Sequence, residues 1–302
     1  MGGSRSSQTA DIVVVYNPKA GGADKVQLQH LISTHLSETR VDLCECSRTD
    51  DMHARLSSWL ENGVRLVIVA GGDGTISDVA SALTHTDIPL GILPMGTGNV
   101  VARELELPLD PADAAKVLAG EYSTRKLDVM RVENRAYLLS VSVGRNAEAM
   151  REISRQEKKM FGQTAYFLPF VRKFFGTQVI DFQIELNGDP REVRATDLFA
   201  VNIGIIGYKA LSWGPEVQPD DGWMNLCYLQ ANSGLDYLWT IVNFLNRRYL
   251  RNKRINCLPA QTRIRFAGPA GLPVQADGDW IGYTPTEITI DHAALTIAVP
   301  QK

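Results

Sequence analysis

Val64-Arg65-Leu66-Val67-Ile68-Val69-Ala70-Gly71-Gly72-Asp73-Gly74-Thr75 is the stretch that decides the fold. Its apolar run through Val69 has the β-branched content of a strand buried on both faces, as in a parallel sheet. Beyond the glycines, Ile76, Val79, Ala80 and Leu83 recur at i, i+3, i+4 and i+7, one face of a helix. Strand, glycine turn and helix together make an anion-binding geometry. Glycine lets the backbone come close, and the first N–H groups of the helix point outward. Asp73 sits among those donors. A carboxylate beside a phosphate is repelled unless a cation or a proton lies between them, so Asp73 points to a Mg²⁺-nucleotide site rather than to simple anion capture. The competing reading is a plain glycine-rich turn with Asp73 as the helix N-cap.

Working outward, the same alternation repeats. Ile12 to Tyr16 reads as a strand ending in Asn17-Pro18-Lys19-Ala20-Gly21-Gly22, and Leu28, Leu31, Ile32 and Leu36 mark a helix after it. Val41 to Cys46 is a second strand. Met52, Leu56, Trp59 and Leu60 mark a helix closed by Asn62-Gly63. Downstream, Ile88 to Leu93 leads into Pro94-Met95-Gly96-Thr97-Gly98-Asn99, a short helix at Val100, Val101 and Leu105, and a helix start at Asp110-Pro111. Alternating strands and helices predict a doubly wound parallel sheet over residues 10–122. Its three glycine-rich connections follow strand carboxyl ends, where such sheets bind ligands.

From about residue 123 the pattern becomes mainly antiparallel β. Lys126 to Val132 and Tyr137 to Val143 flank a turn at Glu133-Asn134-Arg135. Val179 to Leu186 and Val193 to Ile203 flank Asn187-Gly188, a favoured hairpin pair. Asn225 to Leu229, Arg263 to Phe266, Val274 to Ala276 and Glu287 to Ile290 add strands. Helical insertions are expected near 147–175 and 234–250. A second domain over 123–302 follows, with a last strand free to return toward the first.

The bulk properties narrow the class. The chain has 302 residues, 44% apolar and 22% charged, with a formal net charge of −3, so no overall basic field argues for nucleic acid. No run of 18 uncharged apolar residues occurs, so no membrane span is expected. The first nine residues, Gly- and Ser-rich, lack a signal-peptide core; Met1-Gly2 with Ser6 formally fits a myristoylation pattern, though a flexible tail explains it more simply. Four cysteines (Cys44, Cys46, Cys227 and Cys257) show no Cys-x-x-Cys pair, and a reducing compartment is the simpler reading.

Several side chains could carry chemistry. Asn17 to Gly22 is a second candidate phosphate loop, and Thr97 and Asn99 offer a hydroxyl and an amide at a third strand end. Asp277-Gly278-Asp279, if extended, would put both carboxylates on one face, suited to a metal or to a general base; the alternative is an Asp-Gly turn. Asp220-Asp221-Gly222 with neighbouring carbonyls could make an oxygen-lined divalent-cation site. Tyr166, Phe167, Phe170, Val171, Phe174 and Phe175, interrupted by Arg172 and Lys173, form one amphipathic set. Leu235, Leu238, Trp239, Val242 and Leu245, followed by Arg247, Arg248, Arg251, Lys253 and Arg254, form another. Core packing is the plainer use of both, a greasy pocket or a membrane-facing rim the alternative.

Asn17-Pro18-x-x-Gly21, Gly71-Gly72-Asp73-Gly74-Thr75 and Gly96-Thr97-Gly98-Asn99 resemble the diacylglycerol kinase catalytic domain, and over nearly its whole length the chain is similar to soluble bacterial lipid kinases of the diacylglycerol and sphingosine kinase type. Leu105-Glu106-Leu107-Pro108, Gly162 with Tyr166, Asn202 and Asp220-Asp221-Gly222 resemble further family landmarks. The resemblance implies a parallel α/β domain and a β-rich lipid-substrate domain with an ATP cleft between them. It implies that Asn17, Pro18, Lys19, Ala20, Gly21, Gly71, Gly72, Asp73, Gly74, Thr75, Ile76 and Ser77 cradle phosphates, with Ser47, Gly96, Thr97 and Asn99 at the nucleotide. It implies a structural Mg²⁺ at Gln218, Asp221 and Trp223, and Asp279, oriented by Asp277, as the base. Two residues depart from the pattern. Asp279 stands where relatives carry Glu, and Val100 stands where they carry Asp.

The function expected from this is ATP- and Mg²⁺-dependent transfer of a phosphoryl group to a lipid hydroxyl, with Asp73 helping to hold the metal. The protein would be cytoplasmic, peripheral to a membrane at most; transient contact with a membrane surface is allowed, and the sequence does not choose between monomer and homodimer. A soluble-nucleotide kinase acting on NAD shares GGDGT, and a lipid-binding homologue without transfer chemistry is the non-enzyme alternative. A Rossmann dehydrogenase is disfavoured, because no G-x-G-x-x-G follows the first strand.

Overall fold

The structure is a computed structural model and describes residues 10–18, 25–47, 51–144, 179–206, 208–229 and 255–301. Both helical insertions and the basic cluster at 247–254 lie outside the described residues. The chain divides into two compact units, one of residues 1–96, 107–125 and 295–302, the other of 97–106 and 126–294. Residues 97–106, which the sequence places with the first domain, therefore cluster with the second unit.

The first unit is the parallel sheet. Strands β1 (Ile12–Tyr16), β2 (Val41–Glu45), β3 (Leu66–Gly71) and β4 (Leu90–Pro94) lie in the order β2-β1-β3-β4. Every residue of β1, β3 and β4 is buried, which is why those strands read as unbroken apolar runs. Helices α1 (Lys25–His35), α2 (Met52–Glu61), α3 (Asp73–Leu83) and α5 (Pro111–Ala119) follow the strands, with the short α4 (Val100–Glu104) preceding α5. Val14, Tyr16, Ile68 and Leu93 of the sheet share one buried cluster with Leu28 of α1 and Leu118 of α5. Gly91 lies against that packing: a Cβ there would come 2.9 Å from Leu118 Cδ2, and the leucine would have to shift. The last strand, β18 (Thr286–Pro300), does return: Ile297 pairs in parallel with Leu90 of β4.

The second unit is a sandwich of two antiparallel sheets. One sheet has the order β14-β13-β10-β7-β16-β17, built from β7 (Ser140–Gly144), β10 (Asp197–Val201), β13 (Met224–Leu229), β14 (Ile255–Ala260), β16 (Pro273–Ala276) and β17 (Asp279–Tyr283). The other pairs β8 (Ile180–Leu186) with β9 (Asp189–Ala195) and with β15 (Arg263–Gly268), and β15 with the start of β18. Val141, Leu198, Leu226 and Ala276 of one sheet and Phe182, Ile184, Ile264 and Phe266 of the other share one buried core. Alternating residues point in, as Arg265 between Ile264 and Phe266 illustrates.

Two expected strands are split where the chain changes sheets. The arm expected over Val193 to Ile203 is β9, then Thr196, then β10 in the opposite sheet. The arm expected over Tyr137 to Val143 is β6 (Arg135–Tyr137), hairpin partner of β5 (Tyr122–Val132), then a corner at Leu138 and Leu139, then β7 in the other sheet. Both corners are buried, Leu138 at one and Thr196 with Asp197 at the other, because the flanking strands feed one core. Strands β14 and β17 and the small pair β11 (Ile205–Ile206) and β12 (Tyr208–Ser212) lie where no strand was expected.

The cysteine expectation is corrected at one pair. Cys227 of β13 and Cys257 of β14 are direct cross-strand partners and are joined by a disulfide, S–S 2.06 Å. They are 30 residues apart in sequence, so spacing carries no hint of the pairing. Cys44 and Cys46 are buried and not disulfide-bonded.

Candidate active site

In the first unit, register brings the glycine loops together. Tyr16 lies level with Ala70, Ala70 with Leu93, and Tyr16 with Glu45 across the parallel pairs. The residues that follow these positions, Asn17, Gly72, Gly96 and Ser47, therefore sit at the tips of adjacent strands. The Met95 N–H donates to the Gly71 carbonyl at 3.1 Å, tying two tips directly. A Cβ on Gly72 would lie 3.2 Å from the Gly96 Cα, a tight contact that glycine avoids where the loops meet. Asn17 is 5% exposed. Pro18 is exposed, and Lys19, Ala20 and Gly21 lie outside the described residues.

Helix α3 starts at the loop. Gly72 is its N-cap, so the reading of Asp73 as N-cap is corrected: Asp73 is the first helical residue. A carboxylate at that position faces the positive end of the helix. The Thr75 and Ile76 N–H groups donate to the Gly72 carbonyl at 3.0 and 3.1 Å. Gly74 is half-buried, while Thr75, Ile76 and Ser77 are buried, so the tip of the loop is offered by backbone rather than by large side chains.

The second unit holds the remaining candidates. Thr97 is exposed; Asn99 is buried, sits at φ +49° and starts α4 without capping it by its side chain. The Arg103 Nε donates to the Gly98 carbonyl at 2.9 Å, and Glu104 accepts from the Ile205 N–H at 2.9 Å, which fixes the GTGN turn.

The Asp277-Gly278-Asp279 segment is not extended, and the expectation of two carboxylates on one face is corrected. Asp277 and Gly278 have φ of +46° and +89° and form the tight turn between β16 and β17, with Ala276 opposite Asp279. The Asp277 carboxylate accepts three backbone N–H bonds, from Leu138 at 2.8 Å, Leu139 at 2.9 Å and Ser140 at 3.0 Å. It holds the corner between β6 and β7. Asp279 opens β17 and is half-buried.

The acidic loop before β13 is held from beneath. Asp128, fully buried in β5, accepts from the Gly222 N–H at 2.6 Å and the Ala293 N–H at 2.7 Å, and the His292 Nδ1–H donates to it at 2.7 Å. Its own N–H donates to the Pro219 carbonyl at 2.7 Å. Asp128 was not singled out by the sequence: one Asp inside an apolar strand has no local pattern. Asp221 stands at the exposed top of this loop and accepts from the Trp223 N–H at 2.9 Å. Gln218 is exposed, its Nε2 donating to the Pro215 carbonyl at 3.4 Å.

Desolvation by the surrounding protein, then the charges of Asp128 and Asp220, push the Asp221 carboxyl above the usual carboxylate range. Crowded carboxylates of this kind suit a cation. Among the described residues no group of three His, Cys, Asp or Glu side chains could hold a metal alone. A hard cation here would take the Asp221 carboxylate with amide, carbonyl and water oxygens, a donor set that fits Mg²⁺.

A raised carboxyl pKa makes ionisation oppose folding. The penalty is absent below the unfolded value of 3.8 and present in full above the folded value. In chelator, Asp221→Asn is therefore expected to melt above the parent at pH 7, with the gap closing as pH falls toward the unfolded value. A lower melting temperature at pH 7 would contradict this.

Comparison with known proteins agrees with this anatomy. Residues 11–132 match the diacylglycerol kinase catalytic domain, and residues 139–299 match the YegS C-terminal NAD kinase beta sandwich-like domain. The chain belongs to the diacylglycerol kinase family of lipid kinases. It is 26% identical over 309 residues to the diacylglycerol kinase of Mycobacterium tuberculosis, covering 98% of this chain and 97% of that one. It is 24% identical to the diacylglycerol kinase of Bacillus subtilis, covering 96% of each. The crystal structure of a diacylglycerol kinase from Bacillus anthracis superposes with a TM-score of 0.70 at 20% identity, over 97% of this chain and 98% of that one. No helix among the described residues is long and apolar enough to cross a membrane.

Proposed function

We propose that the protein transfers the γ-phosphoryl group of ATP, with Mg²⁺, to a hydroxyl of a diacylglycerol-, sphingosine- or phospholipid-like lipid. The observation that carries this reading is the meeting of glycine loops in the first unit, with the Gly72 backbone packed against Gly96. Polyphosphate needs several backbone N–H donors within a few ångströms, and side chains would keep it out.

In this reading the tips at Asn17, Gly71 to Thr75 and Gly96 bind phosphate, with Ser47, Thr97 and Asn99 at the rest of the nucleotide. Asp279 accepts the hydroxyl proton as the lipid oxygen bonds to the γ-phosphorus and the bond to the β–γ bridging oxygen breaks. Asp277 positions Asp279 through the turn and does not react. Asp221, Gln218 and the Trp223 carbonyl would hold a Mg²⁺, and Asp73 would lie toward a metal at the phosphates. Bound there, the metal supplies charge neutralisation, which with positioning is most of what such transfers require.

The test is incubation of the pure protein with heavy-isotope Mg-ATP and a total lipid extract, read by mass spectrometry. A labelled phospholipid product supports the proposal. Label in NADP instead assigns a soluble-nucleotide kinase, and nucleotide-stimulated lipid binding without label assigns a non-catalytic homologue.

Gly72→Ala probes the loops directly. Its methyl would crowd the Gly96 Cα at 3.2 Å and press the two tips apart, so Mg-ATP affinity is expected to fall about tenfold, or about 1.4 kcal/mol, measured by calorimetry. Unchanged affinity would remove the loops from the nucleotide site.

A further inference from the structure

Asn202 directly follows β10 and is 1% exposed. Its Nδ2 donates to two carbonyl oxygens, Asp128 at 2.9 Å and Leu138 at 3.4 Å. Its backbone N–H donates to the Leu139 carbonyl at 3.1 Å. Two carbonyls around one end of the amide settle which end is nitrogen, since a turned amide would set oxygen against oxygen. Its Oδ1 is buried and accepts from no donor among the described residues. A core residue kept for stability alone would not bury an unsatisfied oxygen, because an apolar side chain would avoid that cost.

The groups bonded to Asn202 lead in two directions. Leu138 and Leu139 are the corner whose N–H groups sit on the Asp277 carboxylate, at the turn that presents Asp279. Asp128 is the buried acid whose N–H and carboxylate grip Pro219 and Gly222, on either side of Asp221. A continuous chain of hydrogen bonds thus runs from Asp277, through the Leu138 peptide, Asn202 and Asp128, to the acidic loop.

We infer that Asn202 is a positioning residue that locks the Asp279 turn and the Asp221 loop at one fixed spacing, so that disturbing either end disturbs the other. The inference rests on the proposed function for what the two acidic segments do, but the coupling itself is a property of the second unit. It predicts that the metal loop and the base turn lose order together, which separate hydrogen bonds to a shared core would not require.

Amide hydrogen exchange on the full chain tests it, without substrate. In Asn202→Ala, exchange at Gly222 and at Leu138 to Ser140 is expected to quicken together, by about tenfold, while core amides of β8 and β15 are unchanged. Leu198→Ala, a core truncation in β10, the strand that leads into Asn202, should quicken exchange without singling out these two segments. Should Asn202→Ala fail to fold, Asp277→Asn serves instead. It keeps an oxygen for Leu139 and Ser140, sets a donor against the Leu138 N–H, and is expected to quicken Gly222 as well. Exchange that changes only at 138–140, or that matches the Leu198→Ala pattern, overturns the inference. In the active protein, Asn202→Ala should also raise the Mg²⁺ concentration for half-maximal rate and lower kcat in parallel. A parent without lipid kinase activity would end the proposed function and leave the exchange result standing, whereas an active parent with an indifferent Gly222 would end this inference alone.

Discussion

Asp279→Asn is expected to yield a protein that melts like the parent and transfers phosphate 10²- to 10⁴-fold more slowly, the usual contribution of a positioned base. Asparagine has nearly the same shape and can neither carry the charge nor take the proton. Asp279 opens β17 just outside the turn, and its backbone register opposite Ala276 does not depend on the side-chain charge. Because the family resemblance implies glutamate at the position of Asp279, Asp279→Glu is informative as well. If the base must reach one methylene further, that variant gains rate; if the turn already brings it close, the longer chain loses rate. The measurement is kcat with a lipid substrate, beside thermal melting of each variant. An Asp279→Asn protein with parental kcat would remove it from the chemistry.

Asp277→Ala is expected to act through the fold. It strips one charged acceptor from three backbone N–H groups at the corner between the two sheets. Hydrogen bonds to a charged group are worth about 1.5–3 kcal/mol each, and the partial exposure of Asp277 lowers their sum. A loss on the order of 3 kcal/mol follows, seen as a melting temperature about 6 °C lower. Activity should fall too, because the corner and the Asp279 turn are joined by these bonds. The pair of variants separates the roles: Asp279→Asn loses rate with stability kept, Asp277→Ala loses both. Equal stability of Asp277→Ala and the parent would deny the anchoring role.

The parallel half of the protein was legible because its signals are local. Buried parallel strands are unbroken apolar runs, and glycine turns at their ends mark themselves; Val64 to Thr75 contains strand, turn and helix start within twelve residues. The hairpin at Asn187-Gly188 was readable for the same reason, since Asn187 and Gly188 have φ of +53° and +96°. The antiparallel half was read less well. At Leu138 the chain passes from one sheet to the other inside an apolar run, and at Thr196 across a polar pair, Thr196-Asp197, too short to mark a turn, so one long strand was expected where there are two.

The candidate site divides along the same line. Residue types marked the glycine loops, Asp73 and the acidic segments at 220–222 and 277–279 as candidates, but not that Gly72 caps α3 ahead of Asp73 or that Asp277-Gly278 is a tight turn. Strand order and register are what make Asp277 an anchor, set Asp128 beneath Asp221, bond Asn202 to Asp128 and Leu138, and place Cys227 opposite Cys257. Those relations join residues far apart in the chain. A hydrogen bond between distant segments depends on strand order and register, and neither leaves a trace in the local pattern of either partner.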